Sequence, residues 1–355
     1  MTSIQSTDYS IHFNEDAYEQ LNHYLSSDQI STVFVLVDEN THKHCYSAFK
    51  NKISYEKEMV TIEIKAGEAH KNIMTCVDLW KKLTELGADR KSILINLGGG
   101  MVTDLGGFVA STFKRGIKFI NIPTSLLSMV DASVGSKTGV DLDNLKNLIG
   151  MFSNPEMVLI DSNYLQTLSD REMRSGVAEI IKYGLTFDSK LLEEIKHDNW
   201  KNISKLNGII YRSIAIKNTV VLQDPKEENL RKVLNYGHTV GHAIESYFLE
   251  HISLKDLAHG EAIAIGMVIE AYLSHKLHNF PLSELTALKE YIHKTFGKTT
   301  INPEHYKEIL DLMKHDKKNI NGSIRYILLK DVSDFVINAT APTELVIEGL
   351  DYYNL

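Results

Sequence analysis

Ile93-Leu94-Ile95-Asn96-Leu97-Gly98-Gly99-Gly100-Met101-Val102-Thr103-Asp104 decides how the first half of the chain folds. The aliphatic run from Ile93 to Leu97 reads as a buried strand that passes directly through three glycines into a helical pattern. Consecutive glycines let the backbone come close to a phosphate, and the following helix offers its N–H groups and positive dipole end to a pyrophosphate. The stretch is not the GxGxxG dinucleotide pattern, so a plain tight turn competes with a nucleotide loop. Gly106-Gly107, one turn later, suit close packing of that helix under either reading.

On both sides of this stretch, short β-branched runs alternate with helical patterns. Thr32 to Val37, Val60 to Ile64, Lys118 to Ile122 and Met157 to Ile160 read as strands, and Met74 to Leu86 as a helix. This alternation predicts an α/β domain with a mostly parallel, Rossmann-like, doubly wound sheet. Asp38-Glu39-Asn40 closes one strand and Gly67-Glu68-Ala69-His70-Lys71 follows the next, at the ends where open α/β sheets bind ligands. Carboxylates there suit ribose hydroxyls. Ser169-Asp170-Arg171-Glu172 is a capping-box start, and helical stretches then dominate to about His315. The boundary falls between Gln166 and Asp170, giving an α/β domain over 1–170 and a mainly α-helical domain over 171–355. Ile324 to Leu329 and Phe335 to Ile337 predict a β-hairpin on the helical part.

The chain has 355 residues, which exceeds a comfortable single core. Its net charge is −8, with 38 basic against 46 acidic residues, and no long Lys/Arg block offers a nucleic-acid footprint. The N-terminus lacks a cationic start and an apolar run, and no later segment is long and apolar enough to span a bilayer, so the expected location is the cytoplasm, with no membrane partner. Cys45 and Cys76 lack metal-type spacing and fit a reducing compartment.

Several constellations carry possible chemistry. Read as one helix, Arg231-Lys232-Val233-Leu234-Asn235-Tyr236-Gly237-His238-Thr239-Val240-Gly241-His242 places Arg231, Asn235, His238 and His242 on a single polar face, with Val233, Leu234, Val240 and Ile244 opposite. His259-Gly260-Glu261 then puts an imidazole at the entrance of another buried helix. In Gly176-Val177-Ala178-Glu179-Ile180-Ile181-Lys182, two charges three residues apart lie in an apolar helix, where they are costly unless paired or bound. A buried Glu179–Lys182 ion pair is one explanation. The other is a three-ligand metal site with an open position, in which Glu179 joins two histidines. His238 and His242 form an HxxxH pair, but His259 with Glu179 would serve equally well, and spacing does not choose between them.

Pro123 to Gly139, rich in hydroxyls and glycines and containing Lys137, reads as a loop for anionic oxygens, which Lys146-Asn147 extend. Arg115 could join it, although alone it reads as a solvated cation. Lys217, preceded by Arg212, and the run His315 to Gly322 with Lys317 and Lys318 are open to the same plain reading.

Taken together, Gly98-Gly99-Gly100 with Asp104, Arg115-Gly116, Pro123-Thr124, Val130-Asp131, Gly135 with Lys137-Thr138-Gly139, Lys146-Asn147, Ala178-Glu179 with Lys182, Arg231 to His242, and His259-Gly260-Glu261 resemble the 3-dehydroquinate synthase family. The match runs in order from about Asp38 to Asn319. The resemblance implies a shikimate-pathway lyase that converts 3-deoxy-D-arabino-heptulosonate 7-phosphate to 3-dehydroquinate and phosphate. The steps are transient oxidation by NAD, phosphate elimination, re-reduction, ring opening and aldol closure, with the substrate phosphate acting as its own base. It also implies NAD and a divalent metal, Zn2+ or Co2+, as cofactors.

By matching positions, the resemblance puts the metal on Glu179, His238 and His259. It puts NAD on Gly98, Gly99, Gly100 and Asp104, with Asp38, Asn40, Glu68 and Lys71 near the adenosine ribose and Thr124, Ser125 and Asp131 toward the nicotinamide. Lys137, Asn147, Lys217, Arg231, Asn235, His242 and Lys317 would meet the substrate's carboxylate and phosphate. Lys146 and Lys182 would lie close by, and Lys137 and Lys146 would also border the cofactor. Arg115 would reach a neighbouring subunit's phosphate site, which implies a homodimer. The chain departs from the family at Ser125, where threonine is common, and at Ser136 and Leu145, where glycine is common. Related sugar phosphate cyclases and a metal-dependent NAD polyol dehydrogenase are the alternatives.

Overall fold

Strands buried on both faces must be apolar throughout, and three runs of the first half meet that condition. Val33–Asp38 (β3), Ile93–Gly98 (β5) and Met157–Ile160 (β9) are buried along their whole length. With Ile4–Gln5 (β1), Ser10–Phe13 (β2), Val60–Ile64 (β4) and Lys118–Pro123 (β6), they form a sheet in the order β1-β2-β9-β6-β5-β3-β4. Every neighbouring pair is parallel except β1–β2. The structure is a computed structural model that describes residues 1–27, 29–142, 145–197, 199–251, 254–314 and 324–355. Contacts divide it into two compact units, Met1–Ser169 and Asp170–Leu355.

In the first unit the helices are Asn14–Leu25 (α1), the short Glu39–Thr41 (α2) and Ser47–Asn51 (α3), Ile73–Glu85 (α4) and Gly100–Thr112 (α5). Cys76, Leu79 and Leu83 form the buried stripe of α4 and join Leu36, Leu94, Leu105 and Val109 in one core. A Cβ at Gly106 would overlap the Asn96 side chain beneath it, so α5 approaches the sheet at a distance that glycine allows.

Two features of this unit differ from the sequence reading. The N-terminal strands β1 and β2 were too short to stand out from their polar surroundings. The stretch expected as an anion-binding loop, Pro123 to Gly139 with Lys146-Asn147, is a turn through Ser128–Ala132 up to Ser136, but its end at Lys137 to Gly139 and the Lys146-Asn147 extension lie in an antiparallel ribbon, Lys137–Leu142 (β7) with Leu145–Phe152 (β8), in which Lys137 pairs with Phe152 and Gly139 with Gly150. Facing glycines explain the close pairing, because a Cβ at Gly139 would lie 2.7 Å from the Ile149 carbonyl oxygen. Glycine pairs of that kind look like a loop in sequence.

The second unit comprises Asp170–Thr186 (α6), Ser189–Lys196 (α7), Ile203–Gln223 (α8), His238–Glu250 (α9), His259–His278 (α10), Leu282–Phe296 (α11), Tyr306–Lys314 (α12), the hairpin Tyr326–Asp331 (β10) and Asp334–Ala339 (β11), and Thr343–Asn354 (α13). Ala262 to Ala271 of α10 is buried without a break. A helix that is apolar all round belongs at the centre of a core, and α10 packs against α6, α9, α11, α13 and β10. Among the described residues, no helix is long and apolar enough to cross a membrane.

Candidate active site

The stretch 231–242 is not one helix, so the single polar face expected for Arg231, Asn235, His238 and His242 does not form. Leu230–Asn235 is a 3-10 turn, Tyr236 is extended, and Gly237 takes a left-handed conformation at φ +79° before α9 begins at His238. Burial in the core imposes the break. Glu270 of α10, fully buried, accepts the N–H groups of Gly237 at 2.8 Å and Val240 at 3.3 Å, satisfying donors at the start of α9. A Cβ at Gly266 would overlap the Gly237 carbonyl, so α9 and α10 touch through glycine.

The break presents His238 at the head of α9. Its Nδ1 lies 3.0 Å from the Tyr236 carbonyl oxygen, and since a carbonyl only accepts, Nδ1 is the donor there and Nε2 is the nitrogen turned toward Glu179. That Nε2 is 3.5 Å from Glu179 Oε1 on α6, and His259 Nε2 at the head of α10 is 3.8 Å from the same oxygen. Ser175 Oγ accepts the Gly260 N–H at 2.9 Å. A Cβ at Gly260 would overlap the Ser175 backbone, so α6 and α10 meet just where Glu179 and His259 must converge.

Glu179 is fully buried, and neither of its oxygens makes a hydrogen bond of ordinary geometry, although Lys182 pairs with it through charge. Lys182 balances its charge, but oxygens left without ordinary hydrogen bonds leave room for a metal ion. His242, one turn along α9, has a ring nitrogen within 4.8 Å of those of His238 and His259. Behind His259, Glu245 Oε2 lies 3.2 Å from Nδ1. Burial alone would depress the His259 pKa, but Glu245 and Glu179 outweigh it and lift it to about 9. Three clustered imidazoles, one of them backed by a carboxylate, beside the Glu179 carboxylate are the donor types that suit a divalent ion of the zinc type.

The other expected residues of this unit differ in their local partners. Arg231 is buried, its backbone N–H donating to Asp224 at 3.0 Å and its Nη1 to the Pro225 carbonyl at 2.7 Å. The Asn235 amide donates to Glu227. Lys217 is buried on α8, which packs against the 230–235 turn. Arg212 pairs with Asp188 at 2.7 Å and Glu194 at 2.6 Å, the plain surface role. Lys317 and Lys318 lie outside the described residues, as does the Leu145 side chain.

In the first unit, the expected cofactor residues gather at the carboxyl ends of adjacent strands. Asp38 ends β3, Gly98 ends β5, Thr124 follows β6, and Glu68 and Lys71 follow β4. Gly98 is needed because a Cβ would lie 2.5 Å from Val102 Cβ, and Gly99 caps α5 with no side-chain hydrogen bond over its first turn. Those N–H groups are a natural anion cradle. Asp38 caps α2 by accepting the Thr41 N–H at 2.8 Å, and Asn40 next to it is exposed. Thr124 is buried, and Ser125 Oγ lies 2.9 Å from Ser128 Oγ at the start of the short turn that carries Asp131.

Lys71, buried, donates to Asp104 and to Asn147, each at 2.6 Å. Lys146, half-buried on β8, lies 4.0 Å from Glu68, while Lys137 at the start of β7 is exposed. Arg115 is exposed at φ +70° and has no hydrogen-bond or ion-pair partner among the described residues.

Glu245, Glu270 and Asp224 were not singled out from sequence. Each had the same signal as Glu179, a lone acid within or beside an apolar stretch, whose cost calls for a partner.

Residues 61–175 match the family described as 3-dehydroquinate synthase N-terminal, and residues 176–319 the family described as 3-dehydroquinate synthase C-terminal. The chain is 41% identical over 344 residues to the 3-dehydroquinate synthase of Parabacteroides distasonis, covering 96% of each. It is also similar in fold to 2-deoxy-scyllo-inosose synthase complexed with carbaglucose-6-phosphate, NAD+ and Co2+, with a TM-score of 0.87, 24% identity and 99% of both chains covered. The 2-epi-5-epi-valiolone synthase of Streptomyces hygroscopicus, with NAD+ and Zn2+ bound, superposes with a TM-score of 0.85 at 22% identity, covering 99% of this chain and 98% of that one.

Proposed function

The chain belongs to the 3-dehydroquinate synthase family, and from that premise we propose that it converts 3-deoxy-D-arabino-heptulosonate 7-phosphate to 3-dehydroquinate and phosphate. The observation that carries the reading is Glu179, a fully buried carboxylate without ordinary hydrogen bonds, facing the Nε2 atoms of His238 and His259. We assign these three residues as the ligands of a divalent metal, zinc or cobalt, and leave His242 to the substrate.

NAD held in the first unit would supply reversible hydride acceptance, and a metal held by Glu179, His238 and His259 would supply Lewis acidity toward a substrate hydroxyl. The chain's own residues bind, orient and neutralise. The Gly98-Gly99-Gly100 turn and the first N–H groups of α5 would hold the dinucleotide phosphates, with Asp104 beside them in contact with NAD and with Asp38, Asn40, Glu68 and Lys71 at the adenosine ribose. Thr124, Ser125 and Asp131 would border the nicotinamide, with Lys137 and Lys146 alongside. Lys137, Asn147, Lys217, Arg231, Asn235, His242 and Lys317 would hold the substrate's carboxylate and phosphate, and Lys182 would hold Glu179 in place by charge.

Arg231 suits its role because its backbone N–H and Nη1 are fixed by Asp224 and Pro225, which restricts how the guanidinium can move. Little general acid or base is required, since the leaving phosphate takes the proton itself. Holding charge and excluding water are the chain's main tasks. We place NAD binding in the first unit and metal binding in the second. The exposed, unpaired Arg115 supports a homodimer, and the reaction fits the cytoplasm.

The test is phosphate release from the heptulosonate phosphate, with NADH absorbance followed alongside. Phosphate released without net NADH, lost on chelation and restored by zinc, is the expected result. Net NADH from a glycol would indicate a polyol dehydrogenase, and release from another phosphosugar instead would indicate a related cyclase.

A further inference from the structure

Three segments of the first unit hang on one ammonium group. Lys71 is 4% exposed, and its Nζ lies 2.6 Å from Asp104 Oδ2 in the first turns of α5 and 2.6 Å from Asn147 Oδ1 on β8. Its main chain makes the same link, because the Lys71 carbonyl accepts the Asp141 N–H at 2.8 Å and Asn72 bridges Asp141 as an isolated parallel pair. Asp141 Oδ1 then accepts the N–H of Asn147 at 2.6 Å, and Asn147 itself is left-handed at φ +51°. Glu68 stands 3.8 Å from Lys71 and 4.0 Å from Lys146. The ammonium stays charged, because Asp104, Glu68 and Asp141 more than offset the burial that would otherwise neutralise it.

We propose that Lys71 is a positioning residue that couples the nucleotide site at Asp104 to the anion-binding face of β8 at Lys146 and Asn147. The inference rests on the proposed function, which supplies NAD and a phosphate-bearing substrate as the two ligands. A lysine whose task was only to neutralise Asp104 would not need Asn147. An ammonium has three donors, and two are held by groups that belong to different expected ligands. A ribose hydroxyl that engages Asp104 therefore changes what Lys71 bonds to, and with it the setting of Asn147. By linkage the effect is reciprocal, so each ligand alters the affinity of the other by the same factor.

The experiment measures the Kd of inorganic phosphate for the metal-loaded enzyme by calorimetry, with and without saturating NAD, and the Kd of NAD with and without phosphate. In the wild type, NAD is expected to tighten phosphate binding about tenfold, with the same factor in the reverse direction. Lys71→Met should bring that factor close to one, whatever it does to either affinity alone, and Lys71→Arg, which keeps charge and reach, should retain most of it. A wild type that binds NAD but holds phosphate equally well with and without it overturns the inference, even if Lys71→Met fails to fold. Coupling undiminished in Lys71→Met also overturns it. A protein that binds no NAD overturns the proposed function, and this inference with it.

Discussion

At the carboxyl end of the sheet, Lys71, Asp104 and Asn147 satisfy one another at 2.6 Å. In the helical unit, Glu179 is fully buried, yet its oxygens lack ordinary hydrogen bonds and face two imidazoles. The first region is a closed polar network that holds its shape without a ligand. The second has a carboxylate whose charge is met by Lys182 but whose oxygens lack ordinary hydrogen bonds, and a metal ion would complete its coordination. The first set is held in position before any ligand arrives, whereas the second leaves carboxylate oxygens for a ligand to complete.

The sharpest way to break this contrast is Glu179→Gln. Removal of the carboxylate should cost roughly 1000-fold or more in kcat/KM and abolish retention of zinc through gel filtration, measured by atomic emission. The metal-free variant should melt within a few degrees of metal-free wild type, because the desolvation cost removed with the carboxylate offsets the ion pair lost by Lys182. A melting temperature several degrees lower would mean that Glu179 is a structural partner of Lys182 instead.

Glu245→Gln tests the same cluster one layer back. Its carboxylate orients His259 through Nδ1 at 3.2 Å, and its loss should weaken zinc binding about 10- to 100-fold in competition with a chelator. Unchanged affinity would show that the packing of α10 alone orients His259.

Ser136→Gly is the mildest test and belongs to the closed region. Ser136 sits at φ +64°, where a Cβ is disfavoured, and its hydroxyl donates to Asn154. Glycine should stabilise the ribbon by up to about 1 kcal/mol, seen as a small rise in melting temperature, and leave kcat/KM unchanged or higher. A clear loss of kcat/KM would show that the hydroxyl contributes.

Local pattern was enough for much of the molecule. Short β-branched and aliphatic runs marked β3, β4, β5, β6 and β9, and the glycine turn at 98–100 marked the strand-to-helix passage, because both are properties of adjacent residues. The cost of a lone charge in an apolar helix also marked Glu179 and Lys182 as residues that need a partner. Sequence could not say which partner, since ligation is a distance between segments far apart in the chain.

That distance is set by how α6, α9 and α10 pack, and the packing also overrode local periodicity. The spacing from Arg231 to His242 is helical on paper, but Glu270 and the glycines at 237 and 266 break it and turn His238 toward Glu179. Likewise Gly139 and Gly150, loop-like in isolation, are the pair that lets β7 and β8 close together. The residue types and the order of elements came from the sequence by itself, whereas the convergence of the site depended on tertiary burial, which rewards contacts that no local window contains.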